Sequence, residues 1–385
     1  MKKLTLACVA PLLALVLANV ASAAYLETDS VETVPRQDQP PRILPPQPVV
    51  PPPFHNRNNA LVDLVRRVDI GNSYSYRGLT VYPLLARNRE TATDILTLDE
   101  ALYRGELSIR EKGDGQVPFV QVRNEGHHPV LLMTGEILVG GRQNRVIRDD
   151  VLLSTRSEFI DIPVYCGEQD RWKGDGITFK SGSTMIAPGM REMSATAAPQ
   201  DHIWREIDGK LRQAEVKSDT RSYQAYFDDN GVKRRLDDCV RQFRGCRTRQ
   251  TLGLVAVYGN RILGCDLFAD PAICARLWDK ILRSYGGDVI IQPRYRDWDE
   301  RGRQEKWAPG IGSEDVQRLL DRTRAADFDE RSTVGIGRLY RISGGVTGNV
   351  LINAGEVVHA AIFTGGREVI LPQPLMRENV EGRTR

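Results

Sequence analysis

Histidine is scarce in this chain, five in 385 residues, and no Cys/His spacing matches a zinc site, so no metal is expected. No glycine-rich loop follows a strand in the Rossmann or P-loop pattern. Gly140-Gly141 and Gly365-Gly366 are too short for either, and no cofactor is implied. Ser, His and Asp never fall in a nucleophile-elbow context, which argues against an α/β-hydrolase. Aromatic and basic residues do not interleave as single-stranded nucleic acid requires. The formal net charge of +3 is small, with both signs interspersed, so no polyanionic partner and no nucleic acid are called for.

What is present begins with an export signal. Lys2 and Lys3 precede an apolar run from Leu4 to Val20, and Ala21-Ser22-Ala23 supplies the small-x-small pattern for cleavage before Ala24. Residues 1–23 therefore read as a signal peptide, and the mature protein as periplasmic or secreted. The apolar run is short and broken by Pro11, so no stable membrane insertion is expected after cleavage. Residues 24–59, centred on ILPPQPVVPPPF, form a proline-rich leader that is extended rather than packed. Five cysteines remain after cleavage. The sequence-local pairings in an oxidising compartment are Cys239 with Cys246 and Cys265 with Cys274, leaving Cys166 alone.

At 41% hydrophobic, the rest of the chain has ample core for one large domain. Residues 60–199 read as its β-rich N-terminal part, 200–376 as its helical and β C-terminal part, and 377–385 as a tail. Leu61 to Val68 suggests a short helix. Leu79 to Leu84, Leu107 to Ile109 and Val117 to Val122 suggest strands, and Thr97 or Asp99 caps a brief helix. Apolar stripes at Ile203, Ile207, Leu211 and Ala214, and at Val232, Leu236, Val240 and Phe243, predict helices. Thr251 to Val257 and Arg261 to Cys265 predict a hairpin turned at Tyr258-Gly259-Asn260. A helix carrying Ile273, Leu277 and Ile281 follows, then one from Ser313 to Arg324, then strands at Gly337 to Ile342, Gly348 to Ile352, Val357 to Phe363 and Glu368 to Leu371. Residues 173–199 lack periodicity and read as a flap or a linker. The fold class is α+β, mainly antiparallel sheet with a central group of helices.

The chemistry-bearing stretch runs from Gly135 to Trp172. Pro129 to Val139 is nearly continuous apolar strand sequence, yet Glu136 sits inside it, and a carboxylate there needs a paired cation or several donors. Arg142, Gln143, Asn144 and Arg145 follow the Gly140-Gly141 turn, and Glu168, Arg171 and Trp172 close the stretch. Two readings stand side by side. The set is a ligand site, with Glu136 and Glu168 as catalytic or ribose-binding acids and Arg142, Gln143, Asn144, Arg145, Arg171 and Trp172 as ligand contacts. Alternatively it is an internal salt-bridge network that fixes strand register. Cys166 beside it is a nucleophile candidate or a small buried hydrophobe. His127-His128 is a base candidate or a solvated turn, Asp266 and Asp270 are site or bracing residues, and His359 suits a satisfied core histidine.

Gly135-Glu136, Gly141, Gln143-Asn144-Arg145, Ile162-Pro163-Val164, Cys166, Glu168 and Arg171-Trp172 together resemble the family called ARG and rhodanese-phosphatase-superfamily-associated protein domain. The run from Gly259 to Phe268, Ser284-Tyr285 and the strand holding His359 are similar to the same family's second half. The resemblance covers roughly residues 75 to 372. Its association with ADP-ribosylglycohydrolases and phosphatase-like proteins implies a nucleotide-like ligand such as ADP-ribose, and it brings no catalytic residues with it.

Overall fold

The computed structural model describes residues 59–87, 93–113, 115, 117–171, 177–292 and 310–365. Trp172, residues 1–58 and the expected strand at 368–371 lie outside them. In chain order the helices are α1 (Ala60–Arg66), α2 (Leu98–Tyr103), α3 (Pro188–Ala195), α4 (Gln200–Ala214), α5 (Tyr223–Asp228), α6 (Asn230–Phe243), α7 (Pro271–Val289) and α8 (Ser313–Ala325). Three sheets accompany them. Every strand pairing among the described residues is antiparallel except Leu96–Thr97 against Val130–Leu132, so the fold is α+β.

The largest sheet has nine strands. It runs from Val68–Ile70 through Leu79–Ala86, the hairpin Thr251–Tyr258 and Arg261–Leu267, and then Glu356–Phe363, Thr347–Asn353, Arg338–Ser343 and Asp327–Arg331. Tyr74–Tyr76 pairs beside Leu79–Ala86. Its central strands are buried on both faces, and alternate residues feed different cores. Leu254 and Ala256 join the core built with α3 to α7, whereas Val255 and Val257 join the one covered by α1 and α8. The apolar stripes legible in sequence do this packing: Ile203, Ile207 and Leu211 of α4 and Val232, Leu236, Val240 and Phe243 of α6 are buried in the first core.

A third core lies between the two smaller sheets, one of three strands and one of six. The stretch Pro129 to Val139 supplies both. It is not one strand but two, Val130–Leu132 and Glu136–Gly140, broken at Met133–Gly135 where Gly135 adopts φ 94°. Only glycine adopts that region freely, and a Cβ there would lie 3.0 Å from both Arg191 and Ile186.

Of the stretch 173–199, the described residues 177–199 are more regular than their sequence suggests. Phe179–Met185 pairs with Glu136–Gly140, and α3 follows. The alternation is hidden because the register shifts between Ser181 and Met185, with Ser183 at φ 52°. The disulfide expectation is likewise not met: Cys166, Cys239, Cys246, Cys265 and Cys274 are all buried free thiols. Burial pushes Cys239 and Cys246 up to about 12.

Candidate functional site

A chain of ionisable side chains crosses the interior where the three sheets meet. At its centre, Asp266 of the Arg261–Leu267 strand receives both terminal nitrogens of Arg191 from α3, with Nη1 donating to Oδ2 at 3.0 Å. Tyr285 of α7 donates its hydroxyl to Asp266 at 2.7 Å. His359, on the neighbouring strand, sits between two carboxylates, with Nε2 2.9 Å from Asp266 and Nδ1 2.6 Å from Asp150. Arg191, Asp266 and His359 are 0% exposed and Asp150 is 1% exposed, so every one of these charges is dry.

The turn between the split strands carries the chain onward. Thr134 N–H donates to Asp150 at 2.7 Å, and the adjacent Met133 N–H donates to Glu136 at 2.7 Å. Glu136 then meets Lys280 of α7 at 2.5 Å. Lys280 also pairs with Asp99 of α2 at 2.7 Å, and Ser181 donates to Asp99 at 2.5 Å. Asp99 is the first half-exposed member, so the chain reaches water at one end only among the groups described here. Capping of α2 falls to Thr97, which forms a reciprocal box with Glu100 and leaves Asp99 free for Lys280.

Burial penalises every charge in this chain, and the partners decide which survive. For His359, burial alone would lower the pKa, but Asp150 and Asp266 outweigh it and raise it to about 9. Burial would raise Asp266, but Arg191 and His359 hold its carboxyl well below the usual range. Asp150 is lowered in the same way by His359. At the other end two carboxylates share one ammonium. Burial outweighs Lys280 and raises Glu136, while Glu136 and Asp99 outweigh burial and raise Lys280.

The residues singled out from sequence fall into separate, internally satisfied groups. Glu136 turns away from Arg145 toward Lys280. Arg145, 0% exposed, pairs instead with Glu111 at 3.3 Å and donates to Gln143 and to Cys166 Sγ at 2.8 Å. Burial nevertheless dominates at Cys166 and raises its thiol. Glu168 accepts the Asn144 backbone N–H at 3.1 Å and Arg171 Nε at 2.9 Å, while Arg171 also holds the carbonyls of Gly140 and Gly141. Asn144 bridges Gly140 N and Ser222. Arg142 and Arg171 are the half-exposed members of the run, and the convergence of Glu136, Arg145, Glu168 and Arg171 on one wet cleft does not occur.

Sequence reasoning passed over Glu111, Asp150, Arg191 and Lys280, and gave Tyr285 no role of its own. The signal that flagged Glu136 was available for Lys280, and equally for Asp266 and His359, which were named without being joined to one another. Lys280 lies three residues beyond Leu277, on the inward stripe of α7, and Asp266 and His359 interrupt otherwise apolar strands. Arg191 was hidden because its helix follows the bulged strand. Asp270 caps α7 through Ala272 N–H at 2.7 Å. His127 is exposed and meets Arg156 at 3.2 Å, and among the described residues no group of three or more His, Cys, Asp or Glu is arranged to hold a metal. Among the same residues no helix is long and apolar enough to cross a membrane.

Residues 67–363 match the ARG and Rhodanese-Phosphatase-superfamily-associated Protein domain. The chain belongs to that family. The match spans the whole buried charge chain, from Asp99 to His359. No curated protein and no solved structure matches this sequence.

Proposed function

We propose that this family member is an exported, non-catalytic structural or protein-interaction module of the periplasm or extracellular space. The observation that carries this reading is the dryness of its charges: Glu136, Arg145, Asp150, Arg191, Asp266 and His359 are at most 1% exposed and are paired inside the protein. A catalytic acid or base must reach substrate directly or through one water. Charges placed this way tie α3 to the strand of Asp266 and α7 to the strand of Glu136. The export half rests on Lys2, Lys3, the Leu4 to Val20 run and Ala21-Ser22-Ala23.

A second reading keeps a nucleotide-like ligand such as ADP-ribose. It is favoured by the half-exposed guanidinium groups of Arg142 and Arg171 at one glycine turn, and by the association that the family's name records. One thermal-shift panel separates the two. The full chain is mixed with ADP-ribose, nucleotides and sugar phosphates, since a ligand that binds the native state raises its Tm. No shift with any member is expected; a shift that Arg171→Ala abolishes would establish the second reading instead. Fractionation of cells expressing the full chain tests export, with periplasmic recovery expected and cytoplasmic retention counting against it.

A further inference from the structure

We propose that the cavity between the start of α7 and the Asn353–Glu356 turn binds a small organic cation, its apolar body inside and its ammonium group at Glu356. The cavity encloses about 310 Å³, at the small end of the roughly 300–1,000 Å³ found for ligand sites. Ile95, Ile273, Val357 and Val358 supply apolar wall, and none of its described lining residues is Lys, Arg or His. The charged groups that line it are Asp270 and Glu356.

These two carboxylates are in different states. Asp270 is 2% exposed and already satisfied: Oδ1 accepts from Ala272 N–H, and Oδ2 accepts from Thr93 N–H at 2.6 Å and Thr93 Oγ1 at 2.7 Å. It also sits at the N-terminus of α7, where the helix dipole offsets negative charge. Glu356 is exposed, and its carboxylate has no ion pair or hydrogen bond among the described residues. Its place is fixed by a two-residue turn, Ala354 at φ 51° and Gly355 at φ 83°, which pairs Glu356 with Asn353.

An anion entering the cavity would meet two carboxylates. A neutral apolar molecule would gain burial but nothing at Glu356. A bare or hydrated metal ion would gain nothing from the aliphatic walls. An amphipathic monocation satisfies both parts of the site.

The test uses the full chain and isothermal titration with three matched probes: 2-phenylethylammonium, 2-phenylethanol and 3-phenylpropionate. The ammonium probe should bind about two- to five-fold more tightly than the alcohol, the range of an exposed ion pair, and the carboxylate most weakly. Glu356→Gln should bring the ammonium and alcohol affinities together. Ile273→Trp, which fills the cavity, should abolish binding of all three. Glu356→Lys, at an exposed position where folding is retained, should invert the order so that the carboxylate binds best. Absence of binding by every probe, equal binding of ammonium and carboxylate by the wild type, or an unchanged order in Glu356→Lys would overturn the proposal.

Discussion

Asp266 concentrates the electrostatics of the interior at one residue, because Arg191, Tyr285 and His359 all converge on its two oxygens. Removing one partner of a buried pair strands the other. Arg191→Met should therefore cost about 3–5 kcal/mol in urea unfolding. Arg171→Ala should cost less, about 1–3 kcal/mol, since its own side chain is 28% exposed but its partner Glu168 is buried and would be left without its cation. His359 sets a pH dependence with a defined sign. Its folded pKa is raised from 6.5 to about 9, so the folded state holds the proton more tightly than the unfolded chain does. The stabilisation is fully present below pH 6.5 and is lost as pH rises toward 9. The Tm should fall across that window, and His359→Gln should flatten the slope; an equally steep slope in the variant would show that His359 is not its source.

At the scale of elements, close approach between strands is set by glycine. A Cβ on Gly348 would lie 2.0 Å from the carbonyl oxygen of Ala361 on the paired strand. Gly348→Ala should lower the Tm by several degrees, because backbone cannot yield as a side chain can; circular dichroism melts would show it. Most elements were legible because their periodicity is local. The Tyr258-Gly259-Asn260 turn announced its hairpin, and the stripes of α4 and α6 announced their buried faces. Phe179–Met185 was not legible, because a bulge replaces strict alternation with Ser181, Gly182, Ser183 and Thr184. The Pro129 to Val139 break was missed for the opposite reason: its apolar composition hid a turn carried by one glycine.

At the scale of the molecule, the presence of buried charge was legible and its pairing was not. Glu136 advertised the need for a cation, and the partner that answered lies 144 residues away in Lys280. Local order could only nominate Arg145, whose own partner, Glu111, lies on another strand. The same distance effect governs the cysteines. In protein purified without reductant, Cys166, Cys239, Cys246, Cys265 and Cys274 should all be alkylated as free thiols in urea by mass spectrometry, and close to none of them in the native state, since all five are buried. Recovery of a disulfide-linked peptide would contradict the packing described above.

The buried chain of Asp150, Arg191, Asp266 and His359 is complete only when the whole domain is present. These residues come from four stretches of sequence, and the last arrives only with the Glu356–Phe363 strand. Until that strand docks, Asp150 lacks its imidazole and Asp266 keeps only Arg191 and Tyr285, so dehydration of the centre is incomplete. A truncated chain that ends before the Glu356–Phe363 strand would therefore keep the Asp150 carboxylate without its imidazole, and its centre should stay open to water.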